Sequence, residues 1–419
     1  MMRSLYAAVS GLKGNQTYMD VIGNNIANVN TVGYKSSSVT FQDMLSQTLQ
    51  GASSASGNKG GTNPMQVGLG VSTSAIGTNF TDGATQSTGV ATDLAISGSG
   101  FFVVGTSTDQ MYTRNGSFTT DNLGNLLTST GYRVLGWQAD TAGVVDATKP
   151  IAGVQIPVGS MMPAKASTTI TFNGNLNSSD AVGTATPITY NVYDSLGNTY
   201  TLTGNITKTA SNTWTFTPDT NVYAADGTTV VGTTSGTTST IAFDSAGAYD
   251  AATSTMGAIT ITPAGPYVGA NVVTLTPTAS AMTQAGTDTT AKIADTDGYA
   301  AGTLSNYTIS STGEITGSFT NGKTQVLAQV ALAVFNNPDG LLAAGGSMFT
   351  KTTNSGEPQV GTAGTGGRGS FTPGSLEMSN VDLAQQFTNM IVAQRAFQAN
   401  SKIITTDDSM LEELVNLKR

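Results

Sequence analysis

The chain has 419 residues, of which only 10% are charged, with a formal net charge of -9, 50 glycines, and neither cysteine nor histidine. These absences exclude thiol chemistry, disulfide staples, Ser-His triads and the common zinc sites, and the scattered lysines and arginines form no basic stripe for a phosphate backbone, so neither cofactor nor nucleic acid is expected. No apolar run reaches the roughly eighteen residues of a membrane span, and the first residues lack the charged-then-apolar pattern of a cleavable signal peptide, so neither membrane insertion nor the ordinary secretory route is expected.

Taken in chain order, residues 1–30 carry Leu5, Ala8, Leu12, Asn15, Met19, Ile22, Ile26 and Val29, which step alternately by three and four. That is a helical heptad seam with one polar member, Asn15. Gly11, Gly14 and Gly23 weaken it as an isolated helix, and with only Arg3, Lys13 and Asp20 charged, even its back face suits contact with protein. Two readings of the seam stand at this point: a helix lying on its own domain, and a helix packing against other chains.

Residues 31–75 are rich in Ser, Gly, Thr and Asn and read as a linker with a short helix around Phe41 to Leu49. From about residue 76 to 156 the pattern changes to short apolar runs, around Leu94 to Ile96 and Phe101 to Val104, and Asn115-Gly116 in YTRNGSF predicts a hairpin turn. DNLGNLL and GYRVLGW continue the same grammar. Residues 157–304 repeat it with more threonine: ITYNVYDSLGNTYTLTG puts Ile188, Tyr190 and Val192 on one face, then turns to Tyr200 and Leu202, as a half-buried antiparallel strand pair does. Residues 305–360 return to strands, and the glycine-rich stretch in 361–378 reads as a flexible connector.

The last segment, 379–419, mirrors the first. Ser379 and Asp382 have the spacing of a capping box, and Leu383, Met390, Phe397, Ile404 and Leu411 then recur every seven residues. A second lane of Ala396, Ile403, Met410 and Leu417 makes the stripe wider than one partner helix covers. The predicted class is mixed, mainly β: nested antiparallel β-domains, 76–156 with 305–360 enclosing 157–304, carried between helical ends.

Chemistry-bearing motifs fail one by one. SGSGFF has Val103 where a dinucleotide loop needs a third glycine, and ADTDGY has Ile293 and Leu304 where a calcium loop needs ligands. The acidic group Asp407, Asp408, Glu412 and Glu413 lies on one long helix and reads as a solvated face or partner contact rather than a catalytic pair. No enzyme is expected; the apolar helical ends are the predicted functional elements.

NNIANVNTVGYK near the start, LEMSNVDLAQQFTNMIVAQRAFQANSKIITTDDSMLEELVNL at the end, and DLAISGSGFFVV and YTRNGSFTTDNLGNLLTSTGYRVLGW between them resemble the signatures of the axial proteins of the bacterial flagellum, the rod and hook subunits. The β insertion at 157–304 is larger than a rod-type subunit carries and points to the hook type; a distal rod subunit, or a secreted β-rich adhesin, is the alternative. The resemblance implies that residues 1–30 and 379–419 pair as a coiled coil inside a curved helical tube, a universal joint between rod and filament. It also implies export through the flagellum-specific apparatus to the outside of the cell. Partners would be many copies of the same chain, a distal rod protein, a hook cap and hook-filament junction proteins. Asn15 would set helix register, and Asn28, Thr31, Gly33, Tyr34 and Lys35 would form the family's helix stop, with Gly33 at positive φ.

Overall fold

The computed structural model describes residues 2–54, 60–267 and 271–416. Two compact units divide the chain: Met1–Pro157 with Tyr307–Thr316 and Gln325–Arg419, and Val158–Asn306 with Gly317–Thr324. The stretch 317–324, which the sequence reading places with 305–360 in the first β-domain, falls in the second unit.

In the first unit, helix α1 spans Met2–Ala27 and helix α2 spans Leu383–Asn416. The seam of α1 was expected to run to Val29, but the helix ends two residues earlier: Val29 N–H turns to the Ile26 carbonyl and Thr31 N–H to Asn28, tightening the last turn before Gly33 at φ +68°. At the other end α2 starts at Leu383, not at 379. Asp382 Oδ1 accepts the Gln385 N–H at 3.1 Å and is the N-cap, while Ser379 Oγ accepts the Val381 N–H of the approach; the N-cap thus lies at Asp382 rather than Ser379, and the Gln385 side chain turns on to Asn389 instead of closing a capping box. Leu417 lies outside the described residues.

The two expected linkers contain strands. Ser37–Asp43 pairs antiparallel with Val71–Thr78, and Ser46–Gln50 with Met65–Gly68, so no helix forms around Phe41 to Leu49. Val39, Thr40 and Phe41 favour extended backbone, and Phe41 anchors the first pair by standing edge-on to Tyr18 of α1, with ring centroids 5.9 Å apart. Ser370–Pro373 pairs with Leu94–Ser97, and Ser375–Glu377 with Thr85–Ser87, in place of a flexible connector.

A six-stranded sheet supplies the core of this unit, in the order Leu342–Gly345, Met348–Thr350, Gln110–Thr113, Phe101–Gly105, Leu332–Val334 and Gln359–Gly361. Phe101 to Gly105 is buried on both faces, which is why FFVVG reads as a continuous apolar run rather than an alternation. Phe101, Tyr112, Trp137, Phe335 and Phe349 share one cluster. The Asn115-Gly116 hairpin does not form. Gln110–Thr113 pairs with Phe101–Gly105 and Met348–Thr350, and Phe118–Thr120 pairs onward with Leu126–Thr128. Gly116 serves a different end: a Cβ there would lie 1.7 Å from the Leu94 carbonyl oxygen, so the glycine admits a crossing strand.

One turn recurs in both units. Asp121, Asp140, Asp194 and Asp244 each accept, at Oδ1, the N–H groups two and four residues on, and each is followed three residues later by a glycine at φ between +80° and +88°. Ser310 does the same through Oγ, with Gly313 at +80°. The DNLGN and DSLGN strings are thus one device: the carboxylate satisfies the orphan amides, and glycine supplies the left-handed step.

The second unit is a sheet wrapped around Ile170, Phe172, Tyr190, Leu202, Trp214 and Phe216. Ala185–Tyr193 alternates as expected, burying Ile188, Tyr190 and Val192 against Thr199–Ala210. One pairing departs from the expected antiparallel arrangement: Thr169–Asn177 lies parallel to Val273–Ala285, a pairing that no hairpin can make and that joins the two ends of the insertion.

Asp297, from the rejected calcium-like motif, ties this region together. Its Oδ1 accepts the N–H groups of Thr168 and Thr169 at 2.7 and 2.9 Å, its Oδ2 accepts the Thr168 hydroxyl at 2.7 Å, and Lys165 Nζ lies 3.3 Å away. Partial burial pushes the carboxyl up, but these donors together outweigh it and hold the group below the usual carboxylate range. A depressed folded-state pKa contributes stability above the unfolded value of about 4 that fades as pH falls through the folded value. Asp297→Asn is therefore expected to lower the urea midpoint of the second unit at pH 7, with the deficit shrinking below pH of about 4. Trp214 fluorescence in a Trp137→Phe background reads that unit, and a deficit unchanged down the acid range would refute the assignment.

Candidate functional site

The first unit brings the two ends of the chain together. Helices α1 and α2 run antiparallel, and their polar contacts are spaced by sevens on both: Ser4 Oγ donates to Asp407 Oδ2 at 2.6 Å, Gly11 faces Asn400, and Asn25 Nδ2 donates to Gln386 Oε1 at 3.3 Å. At Gly11 the approach is so close that a Cβ would stand 2.7 Å from Asn400 Nδ2. Gly14 likewise lies beneath the Phe41 ring. Gly11 and Gly14, two of the three glycines that weaken α1 as a lone helix, are what let its neighbours approach.

The facing line on α1 is thus Ser4, Gly11 and Asn25 alternating with Ala8, Asn15 and Ile22, one residue away from the predicted Leu5, Leu12, Met19 and Ile26, which flank it half-buried. Of the predicted seam, Ala8 and Ile22 are buried; Asn15, given a register role, donates its Nδ2 to the Gly11 carbonyl of its own helix at 2.8 Å. On α2, Gln386, Ala393, Asn400 and Asp407 face α1, with Ala393 and Asp407 buried. Of the predicted line, Met390 and Ile404 are half-buried beside them, whereas Leu383, Phe397 and Leu411 are exposed. Sequence patterning included Ala8, Asn15 and Ile22 but not Ser4, Gly11 and Asn25, nor the facing line of α2, because glycine, serine and the amides carry no hydrophobic signal.

A buried clasp lies where the helices meet the sheet. Asn25, 1% exposed, donates to Gln386 and to the Ser37 carbonyl, and its Oδ1 accepts both the Ser37 N–H and the Tyr34 hydroxyl. Asn28 donates to the Asn24 carbonyl and accepts the Thr31 hydroxyl. Gly33 N–H donates to the Glu377 carbonyl at 2.8 Å, and the left-handed Gly33 packs so tightly on residues 114 and 115 that a Cβ would lie 2.6 Å from Asn115 N. Glu377, with a fully buried side chain, accepts Lys35 Nζ at 2.6 Å and the Gly83 N–H at 2.9 Å, and its second oxygen meets Arg114 at 3.2 Å. Arg114 also reaches Asp82 and the Gly98 carbonyl, over the Phe101 ring. Burial pulls the Lys35 ammonium below the ordinary lysine range against the opposing pull of Glu377. Every charge in the clasp has an opposite partner, the condition under which buried ions persist.

Large apolar side chains remain outward on the second helix. Phe387, Ile391, Val392, Phe397, Ile403 and Met410 of α2 are each exposed, among polar and charged neighbours, and exposed apolar surface of this kind marks contact with another molecule. Among the described residues no group of carboxylates is arranged to hold a metal, and no helix is long and apolar enough to cross a membrane.

Over its full length the chain is 39% identical to the flagellar hook protein FlgE of Borreliella burgdorferi, covering all of both chains. The chain belongs to the flagellar hook and rod protein family. Other members of that family include the FlgE hook protein of Escherichia coli, 38% identical over 98% of this chain and 99% of that one, and the basal-body rod protein FlgG of Bacillus subtilis, 33% identical over the whole of both. Four family profiles match in succession: flagella basal body rod protein at 5–35, the FlgE/F/G D1 domain at 95–178, the FlaE D2 domain at 161–299, and the FlgEFG C-terminal domain at 372–417. The crystal structure of Helicobacter pylori flagellar hook protein FlgE2 shares the fold, with a TM-score of 0.53 at 16% identity over 70% of this chain and all of that one. The hook and rod family profiles at the two ends fall on the helices and on the clasp residues Gly33, Tyr34, Lys35 and Glu377.

Proposed function

We propose that the chain is a structural subunit of the flagellar hook, polymerising with many copies of itself into a curved tube that passes torque from rod to filament. The observation that carries the reading is the apolar outer face of α2: the helices already satisfy one another's polar lane, and the surface left over is of the kind that a second copy covers. In the tube α1 and α2 work as a coiled coil, with Leu383, Phe397 and Leu411 turned to neighbouring copies rather than to α1. Leu5, Leu12, Met19 and Ile26 line the edge of that contact, and the two β-units form the outer body. The distal rod protein, a cap and junction proteins meet the ends of the tube, and the subunit reaches the cell exterior through the flagellar export apparatus. The role is mechanical and no catalysis is assigned to it.

The full-length similarity to a Bacillus rod protein supports a second reading, a distal rod subunit, which would give a straight, stiff tube. Electron microscopy of the concentrated full chain under salting-out conditions, beside a version lacking residues 1–30 and 379–419, tests both readings. Curved tubes from the full chain alone are expected. Straight tubes would favour the rod reading, and tubes from the truncated chain would place the adhesive surface in the β-units instead.

A further inference from the structure

The chain holds three Asn-Gly pairs, Asn115-Gly116, Asn173-Gly174 and Asn321-Gly322, the sequence in which a backbone nitrogen meets least steric resistance in attacking the preceding side-chain amide. The structure treats them differently. Asn115 Oδ1 accepts the Ser117 N–H at 3.0 Å, turning its carboxamide past Gly116 N, and Gly116 is wedged against the Leu94 carbonyl. Asn321 Oδ1 accepts the Lys323 N–H at 3.0 Å in the same way, and its Nδ2 is held by the Ala300 carbonyl at 2.9 Å. Both carboxamide oxygens are thus engaged by the amide two residues on and not by the adjacent glycine nitrogen.

Asn173 is folded the other way. It is exposed, its Oδ1 lies 2.6 Å from the nitrogen of Gly174 itself, and its Nδ2 makes no hydrogen bond among the described residues. The side-chain carbonyl group therefore lies beside the one nitrogen that can close a five-membered ring on its carbon, and the departing amine has no hydrogen bond among the described residues. The backbone is irregular at this point: the register of Thr169–Asn177 slips between Thr171 and Asn173, and its antiparallel pairing with Lys292–Thr296 ends at Asn173. Gly174 stands at φ +106°, outside ordinary strand geometry.

We infer that Asn173 is a site of spontaneous modification, deamidating through a succinimide in the folded protein. Gly174 N loses its proton to solvent base and bonds to Asn173 Cγ, the Cγ–Nδ2 bond breaks, and the nitrogen leaves as ammonia. Water then opens the ring at either carbonyl, giving aspartate or isoaspartate. No oxidant or cofactor enters. The product adds a negative charge opposite Lys292, the residue paired with Asn173, on the surface of the second unit. This inference is independent of the hook assignment.

The test is incubation of the full-length folded protein at mildly alkaline pH in heavy-oxygen water, followed by peptide mapping at all three pairs. A parallel sample is unfolded in urea. In the folded sample conversion at Asn173 is expected to exceed that at Asn115 and Asn321 by about tenfold, the scale on which held geometry separates chemically identical groups, with one heavy oxygen incorporated and isoaspartate present. In urea the three should converge. Equal rates in the folded state, or an intact Asn173 beside a converted Asn115 or Asn321, would overturn the inference; an Asn173→Asp chain supplies the mass and charge standard.

Discussion

Glu377→Ala is expected to cost the first unit about 3–5 kcal/mol, because it strands the buried Lys35 ammonium without a counter-charge and leaves the buried Arg114 guanidinium only the half-exposed Asp82. The substitution also frees the Gly83 N–H, so a backbone donor is orphaned with the two cations. Each unit contains one of the chain's two tryptophans, Trp137 in the first and Trp214 in the second, so urea unfolding followed by Trp137 in a Trp214→Phe background reads the loss where it should occur. The Trp214 signal in the converse background should not move. Replacing all three ions together, as Lys35→Met, Arg114→Met and Glu377→Leu, is expected to recover most of the stability, since the cost lies in unpaired buried charge rather than in lost attraction. A loss below about 1 kcal/mol for the single substitution would mean that water reaches the clasp and that its charges are screened as surface pairs are.

The second large effect is at Gly11. Gly11→Leu gains helix propensity of about 0.8–1 kcal/mol, yet it should separate α1 from α2, because the new side chain must occupy space held by Asn400. Gly23→Leu is the matched control: a Cβ at Gly23 meets nothing within 4 Å, so the same propensity gain comes without a clash. Hydrogen exchange across both helices should therefore accelerate in the first variant and slow in the second. Tube formation should be lost in the first and kept in the second. Asn400→Ala added to Gly11→Leu should restore part of the protection. If both glycine variants behave alike, the close approach of the helices is not a feature of the assembled state.

Much of this was legible in the chain. The strings that made turns, DNLGN and DSLGN, acted locally, with acceptor, donors and left-handed glycine all within five positions, so their geometry needed no tertiary context. The helical ends were legible for a similar reason, since a seven-residue apolar repeat survives any context. The RNGSF hairpin failed because Asn-Gly has two uses, a tight turn and a place where another strand passes close. The deciding neighbour, Leu94, is not adjacent in sequence. The linkers read as irregular because their strands pair across long separations, Ser375–Glu377 with Thr85–Ser87 for example, and hide few apolar side chains. In the site, the facing lane of serine, glycine and amides was invisible to a search for hydrophobic period, and Glu377 was an isolated acid until Lys35 and Arg114 were brought to it.

The hydrogen bond from Ser4 to Asp407 joins residues 403 positions apart, and the Lys35–Glu377 pair joins residues 342 apart. A chain still being synthesised, or one clipped anywhere near either end, owns only half of each contact. On the proposed function, a copy that lacks residues 377–407 makes neither contact and has no complete α2 face to offer a neighbour. Closure of the two far-separated contacts would then act as a quality control that needs no separate inspector.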